Sequence, residues 1–206
     1  IVLHAADGVA VHGRLYQAAK PRATVLLFHQ ANGSAGEYAT IAPRLAAAGY
    51  SALAIDQRSG GDLFGPNRTV AGVGRSSTFL ETEPDLEAAF AWARERRLPV
   101  LVWGSSYSSA LAFRLASRHP GEVAAVLAFS PGEYLDRPDA VRRAAARVSV
   151  PIFVSAASDA KERDSARAIL AVAPADVEVA HLPETSGVHG SSTLIEARNP
   201  GGAETG

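Results

Sequence analysis

The strongest chemical signal in this chain is a serine set in Gly104-Ser105-Ser106-Tyr107-Ser108. An apolar run, Val100-Leu101-Val102-Trp103, precedes it, and a helix-like run, Ala110 to Ala116, follows. A strand that turns abruptly into a helix lifts the apical side chain, Ser106, clear of its neighbours. Such a turn forces strained angles on the serine and leaves room only for small residues two places before and two places after it. Gly104 and Ser108 meet that demand, although glycine is commoner than serine at the second place. In an ordinary βα loop, Ser105 or Ser106 would only cap the helix. A hydroxyl is a poor nucleophile near neutral pH, so Ser106 as a nucleophile requires a base within hydrogen-bond reach, and the base requires an orienting carboxylate.

Two positions further along supply those types. Asp159 follows the apolar run Pro151-Ile152-Phe153-Val154 by the short loop Ser155-Ala156-Ala157-Ser158, and is the expected orienting acid. Its plain structural alternative is the N-cap of the helix that follows. Glu162 and Asp164 are rivals, expected inside that helix and facing away. Glu133 and Asp136, after the preceding strand, are weaker rivals. His189 lies in Glu184-Thr185-Ser186-Gly187-Val188-His189-Gly190-Ser191, a loop of small residues, and is the expected general base and acid. His181 sits in strand-like sequence and reads as structural. His4, His12 and His119 have no partner that sequence identifies.

Acyl transfer also builds an oxyanion that two preorganised donors must meet. The backbone N–H of Tyr107 is the first. The second is expected in Phe28-His29-Gln30-Ala31-Asn32-Gly33-Ser34, with the Ala31 N–H as first choice and the Gln30 N–H as second. His29 is then a brace for the loop. No histidine pair has helical i, i+4 spacing with a carboxylate, so no metal site is expected. Gly60-Gly61 and Gly72-Val73-Gly74 do not form the glycine pattern of a dinucleotide site. No cofactor is expected.

The elements that must position these groups alternate along the chain. Strands are predicted at Val9–Tyr16, Thr24–Phe28, Ala52–Ile55, Pro99–Trp103, Val123–Phe129, Pro151–Val154 and near 177–182. Helices are predicted over Glu37–Ala48, from about Thr82, after Ser106, over Pro138–Val148, near Lys161–Val172, and briefly after Gly190. Continuous apolar strands are buried on both faces, which predicts a parallel sheet covered by helices. Ligands then bind beyond the carboxyl ends of the strands, where the candidate residues fall. Residues 57–81 carry no clear periodicity. Arg58, Phe64, Asn67, Arg68 and Arg75 on that loop are candidate substrate contacts, as are Gln30 and Tyr107; a solvated loop is the alternative for the former group.

Composition excludes several classes. A net charge of −1 gives no footprint for nucleic acid. No apolar stretch reaches the roughly 20 residues of a membrane span. Without cysteine there is no disulfide, thiolate metal site or cysteine nucleophile. Without methionine, even at position 1, the chain is expected to be a processed, trimmed or incomplete form, and localisation stays open between cytoplasm and export after signal removal. One domain over 1–198 is expected, with a flexible tail over 199–206. Oligomeric state is not legible.

Over about Val9 to Ala197 the chain resembles the α/β-hydrolase superfamily. The resemblance rests on Leu27-Phe28-His29-Gln30 with Gly33-Ser34, on Ala54 to Gly61, on Trp103 to Ser108, and on the Asp159 and His189 loops. The chain order Ser, Asp, His is the one this fold uses. Within the superfamily it is similar to small bacterial hydrolases related to the dienelactone-hydrolase group, many of which use cysteine where this chain has Ser106. The resemblance implies an eight-stranded, mostly parallel sheet flanked by helices and no substantial lid domain, since one helix alone occupies the interval from Phe129 to Pro151. It also implies a serine carboxylesterase-like enzyme acting on a small-molecule ester. A thioester, lactone or amide hydrolase with the same triad, or a non-catalytic binding protein, is the alternative.

Overall fold

The computed structural model describes residues 1–174, 178–200 and 202. Among the described residues there are eight strands: β1 (Val2–His4), β2 (Ala10–Tyr16), β3 (Ala23–Phe28), β4 (Tyr50–Ile55), β5 (Val100–Ser105), β6 (Val123–Phe129), β7 (Ile152–Ser155) and β8 (Glu178–His181). They form one sheet in the order β1-β2-β4-β3-β5-β6-β7-β8. The helices are α1 (Ala42–Ala47), α2 (Arg68–Val73), α3 (Glu83–Arg94), α4 (Tyr107–Arg118), α5 (Ala140–Ala145) and α6 (Ala160–Leu170). Contacts divide the chain into two units, Ile1–Val102 and Trp103–Gly206.

In the first unit β3 and β4 run parallel, with Phe28 opposite Ile55. β2 joins β4 antiparallel, and β1 joins β2 antiparallel. Every residue of β3 is buried, which is why its sequence is apolar apart from Thr24 rather than alternating. The short β1 had no sequence signal: three residues carry too little periodicity. The helix expected over 37–48 is broken in two. A 3₁₀ turn covers Ala35–Tyr38, and α1 starts afresh with Pro43 in its first turn. Proline has no N–H to continue a helix but suits the start of a new one. The 57–81 stretch is also more ordered than expected. The Asn67 side chain accepts the Val70 N–H at 2.8 Å to start α2, and Gly74, with φ 83°, ends it.

In the second unit β6, β7 and β8 are parallel neighbours. Between β6 and β7 lies the single helix α5, so the interval in which a lid would sit is short. α4 buries Tyr107 to Phe113 almost without interruption, together with Leu115 and Ala116. Asn199, expected to begin a tail, is packed: its side-chain amide donates to the Thr193 carbonyl at 2.9 Å. Residues 201 and 203–206 of that expected tail lie outside the described residues, as does Val177 of the last predicted strand.

Candidate active site

Ser106 stands between β5 and α4 with φ 57° and ψ −126°. That is left-handed backbone, uncommon for a residue with a Cβ and costly unless its surroundings impose it. Two features impose it. The Ser106 N–H donates to the Phe129 carbonyl at 2.8 Å, tying the turn to the end of β6. A Cβ on Gly104 would lie 2.3 Å from the Ser108 carbonyl oxygen, so only glycine lets the chain double back this tightly.

His189 reaches the serine from a loop held at several points. The Gly190 N–H donates to Ser130 Oγ at 2.8 Å, and the Ser191 N–H donates to Ser105 Oγ at 2.8 Å. The Trp103 indole N–H donates to Ser191 Oγ, also at 2.8 Å. Gly187 lies against Pro183, and a Cβ there would stand 2.7 Å from the proline ring. So fixed, His189 Nε2 lies 2.7 Å from Ser106 Oγ.

The carboxylate on the other ring nitrogen is Glu162, whose Oε1 lies 2.8 Å from His189 Nδ1. This corrects the assignment of Asp159 as orienting acid. Asp159 is exposed and caps α6, its side chain accepting the Glu162 N–H at 3.2 Å. The physical reason lies in helix geometry. Cα–Cβ bonds tilt toward the helix N-terminus, so a first-turn side chain points back over the entry loop. Glutamate has one more methylene than aspartate and carries its carboxylate that far. Its Oε2 also accepts the Ala157 N–H at 3.2 Å. The 159/162 spacing is that of a capping box, a signal that could have marked Glu162 as turned toward the loop. The other rivals are engaged elsewhere. Glu133 accepts the N–H groups of Val141 and Arg142, at 2.8 and 3.0 Å, and Asp164 pairs with Arg167. Asp136 is exposed.

Burial pushes the Glu162 carboxyl up, but hydrogen bonds from His189 and Ser130 outweigh it, and the net direction is down. Glu162 is therefore ionised at neutral pH. An ionised partner assigns the ring proton to Nδ1, which leaves Nε2 to accept the Ser106 hydroxyl proton.

Two residues had no counterpart in the sequence reading. Ser130, at φ 52°, links the Glu162 carboxylate to the histidine loop. Tyr134 donates its hydroxyl to the Ser130 carbonyl at 3.0 Å, one residue past the Phe129 carbonyl that takes the Ser106 N–H. Neither sits at a motif position, so spacing could not have found them.

The first unit decides between its own candidates. The Gln30 N–H is given to Glu37 Oε2 at 2.7 Å, which removes it as an oxyanion donor. No hydrogen bond among the described residues engages the Ala31 N–H. His29 is a brace: Nδ1 donates to the Gln30 carbonyl at 2.8 Å and Nε2 accepts the Gln57 N–H at 2.9 Å. Burial pushes its pKa down to about 4, so it stays neutral.

Arg58, expected to touch substrate, is buried and clamped between Asp85 and Asp7, with NH2 2.6 Å from Asp85 Oδ1. Asn67 is the α2 cap and also donates to the Gln57 carbonyl. Arg75 pairs loosely with Glu81, at 3.7 Å. Arg68 is exposed and Phe64 half-buried, positions that assign them no contact. The Tyr107 ring is buried, which removes it as a substrate contact and leaves its backbone N–H at the head of α4.

Among the described residues no cluster of His, Asp and Glu side chains could hold a metal ion, and no helix is long and apolar enough to cross a membrane.

Comparison with known proteins places this geometry in a family. The family model described as serine aminopeptidase, S33, matches residues 19–179. No curated protein sequence matches the chain. Among solved structures, the dienelactone hydrolase of Anabaena variabilis is 19% identical with a TM-score of 0.72, covering 92% of this chain and 86% of its own. Est1E of Butyrivibrio proteoclasticus, solved with ferulic acid bound, is 14% identical, with 96% of each chain covered and a TM-score of 0.73. A thermostable carboxyl esterase of Bacillus coagulans is 12% identical, with 88% of each chain covered and a TM-score of 0.70. At these identities the likeness shows the fold. The family match spans most of the chain and shows more: this protein is a hydrolase of the serine aminopeptidase S33 family, with the α/β-hydrolase fold.

Proposed function

We propose that the protein is a serine hydrolase that cleaves carboxylic esters of modest size through an acyl-enzyme. One observation carries this reading: the unbroken line from Ser106 Oγ through His189 to the ionised Glu162, with contacts of 2.7 and 2.8 Å. His189 Nε2 takes the Ser106 proton as Oγ attacks the ester carbonyl. Glu162 holds the ring in the Nδ1–H tautomer and stabilises the imidazolium that forms. The proton on Nε2 passes to the departing alkoxide, and water then enters under the same base. On this reading the Tyr107 N–H, at the head of α4, meets the oxyanion.

Esters are preferred over amides because the solved neighbours named above include a carboxyl esterase and a dienelactone hydrolase. The family description, which names an aminopeptidase, supports a second reading as an amide hydrolase with the same triad. Turnover of aryl esters of rising acyl length, beside amino-acid anilides, separates the two. The ester reading predicts ester turnover that Ser106→Ala abolishes. Anilide turnover without ester turnover would favour the aminopeptidase reading, and undiminished ester turnover in Ser106→Ala would reject Ser106 as the nucleophile.

A further inference from the structure

Tyr134 is a tyrosine fixed beside the nucleophile that the triad does not explain. Its N–H bonds back to the Gly132 carbonyl at 3.0 Å, folding the chain tightly after β6. Its ring lies on Gly132: a Cβ there would stand 3.0 Å from Cε2 and Cζ and 3.2 Å from the hydroxyl oxygen. The hydroxyl rests on the Ser130 carbonyl at 3.0 Å, one residue past the Phe129 carbonyl that takes the Ser106 N–H. Tyr134, Glu162 and Lys161 also line an open hollow of about 470 Å³, so this side of the site faces solvent.

We propose that Tyr134 is a positioning residue for the nucleophile: its hydroxyl proton, resting on the Ser130 carbonyl, turns to Ser106 Oγ whenever that oxygen gains negative charge. The proposal rests on the hydrolase reading above. Charge gathers on Oγ twice, as its proton leaves for His189 in the attack and again as the acyl-enzyme is hydrolysed. In the second step water adds to the acyl carbon and gives a proton to His189; the carbon–Oγ bond then breaks, and Oγ takes that proton back. Tyr134 transfers nothing and stays neutral, holding Oγ on the side facing the imidazole. Burial and the nearby Glu162 charge push its pKa up to about 12, so the proton is present at any working pH. Contacts of this kind tighten only as charge develops, so a resting hydroxyl that still donates to the Ser130 carbonyl is what the mechanism expects.

The test measures Ser106 phosphonylation by a fluorophosphonate, mapped by mass spectrometry, and steady-state aryl-ester kinetics in the same preparations. Tyr134→Phe keeps the ring and deletes the hydroxyl. Both phosphonylation and kcat should fall about tenfold, the scale of one hydrogen bond to a charging atom, with KM unchanged. Gly132→Ala should press on the ring and shift the hydroxyl by a few tenths of an ångström, giving a smaller loss in the same direction. The double variant should lose no more than the worse single one. Wild-type rates in Tyr134→Phe, or losses that multiply in the double variant, would overturn the proposal. A wild-type protein that takes no adduct on Ser106 would overturn the hydrolase reading beneath it, an outcome distinct from labelling that is merely insensitive to Tyr134.

Discussion

The chain places one histidine after β3 and another after β8, and the two loops put the same ring to opposite uses. His29 is fully buried, and the backbone occupies both its nitrogens. Its neutral form is the only one those partners accept, because a proton on Nε2 would face the Gln57 N–H. His189 keeps 40% of its side chain exposed and sits between two side chains, a carboxylate and a hydroxyl. A ring between a fixed anion and a hydroxyl can take a proton and give it up again. What separates a structural ring from one placed to exchange a proton is thus the nature of the partner: backbone partners fix one protonation state, and a carboxylate with a hydroxyl permits two. The charged groups divide in the same way. Arg58 is closed off between two aspartates, whereas Glu162 is half-buried and open to the histidine.

The comparison can be broken from its catalytic side first. Ser106→Ala or His189→Ala should each remove ester turnover by on the order of 10⁶-fold, and the double variant should lose little more, because in the proposed mechanism the two act as one unit. Glu162→Gln should cost about 10⁴-fold, since an amide does not fix the Nδ1–H tautomer or stabilise an imidazolium.

The structural side should answer in stability instead. Arg58→Met strands Asp85, which is fully buried, and should lower unfolding free energy by about 3–5 kcal/mol, with KM unchanged in the folded fraction. A raised KM without loss of stability would restore Arg58 as a substrate contact. His29 sharpens the contrast through pH. Its folded pKa, about 4, lies below the unfolded value near 6.5, so the unfolded chain binds the extra proton between those limits. The stability from its neutral form is complete above about pH 6.5 and is lost as pH falls toward 4, a change of roughly 3 kcal/mol. Urea midpoints across that window should show this dependence in the wild type and a flatter one in His29→Gln.

The sequence made most of the strand framework legible because strands buried on both faces read as nearly unbroken apolar runs, as in β3. It also made Ser106 and His189 legible, as one sits at a steric motif and the other in a loop of glycines and serines that no core would use. The carboxylate beside His189 is not legible because a helix-interior residue is expected to face away, and a first-turn side chain that points back over its own entry loop escapes that reasoning. Arg58 was misread because an arginine in a glycine-rich loop looks solvated until Asp85, twenty-seven positions away, is seen beside it. Ser130 and Tyr134 depend on the backbone after β6, where φ of 52° and a tight turn leave no composition signal.

The smallest expected effect is the most telling. Asp159→Asn retains a good helix cap and should keep ester kcat/KM within about threefold of wild type, measured beside the 10⁴-fold loss in Glu162→Gln. A large loss in Asp159→Asn with near-normal turnover in Glu162→Gln would contradict the assignment of Glu162 as the carboxylate that orients His189.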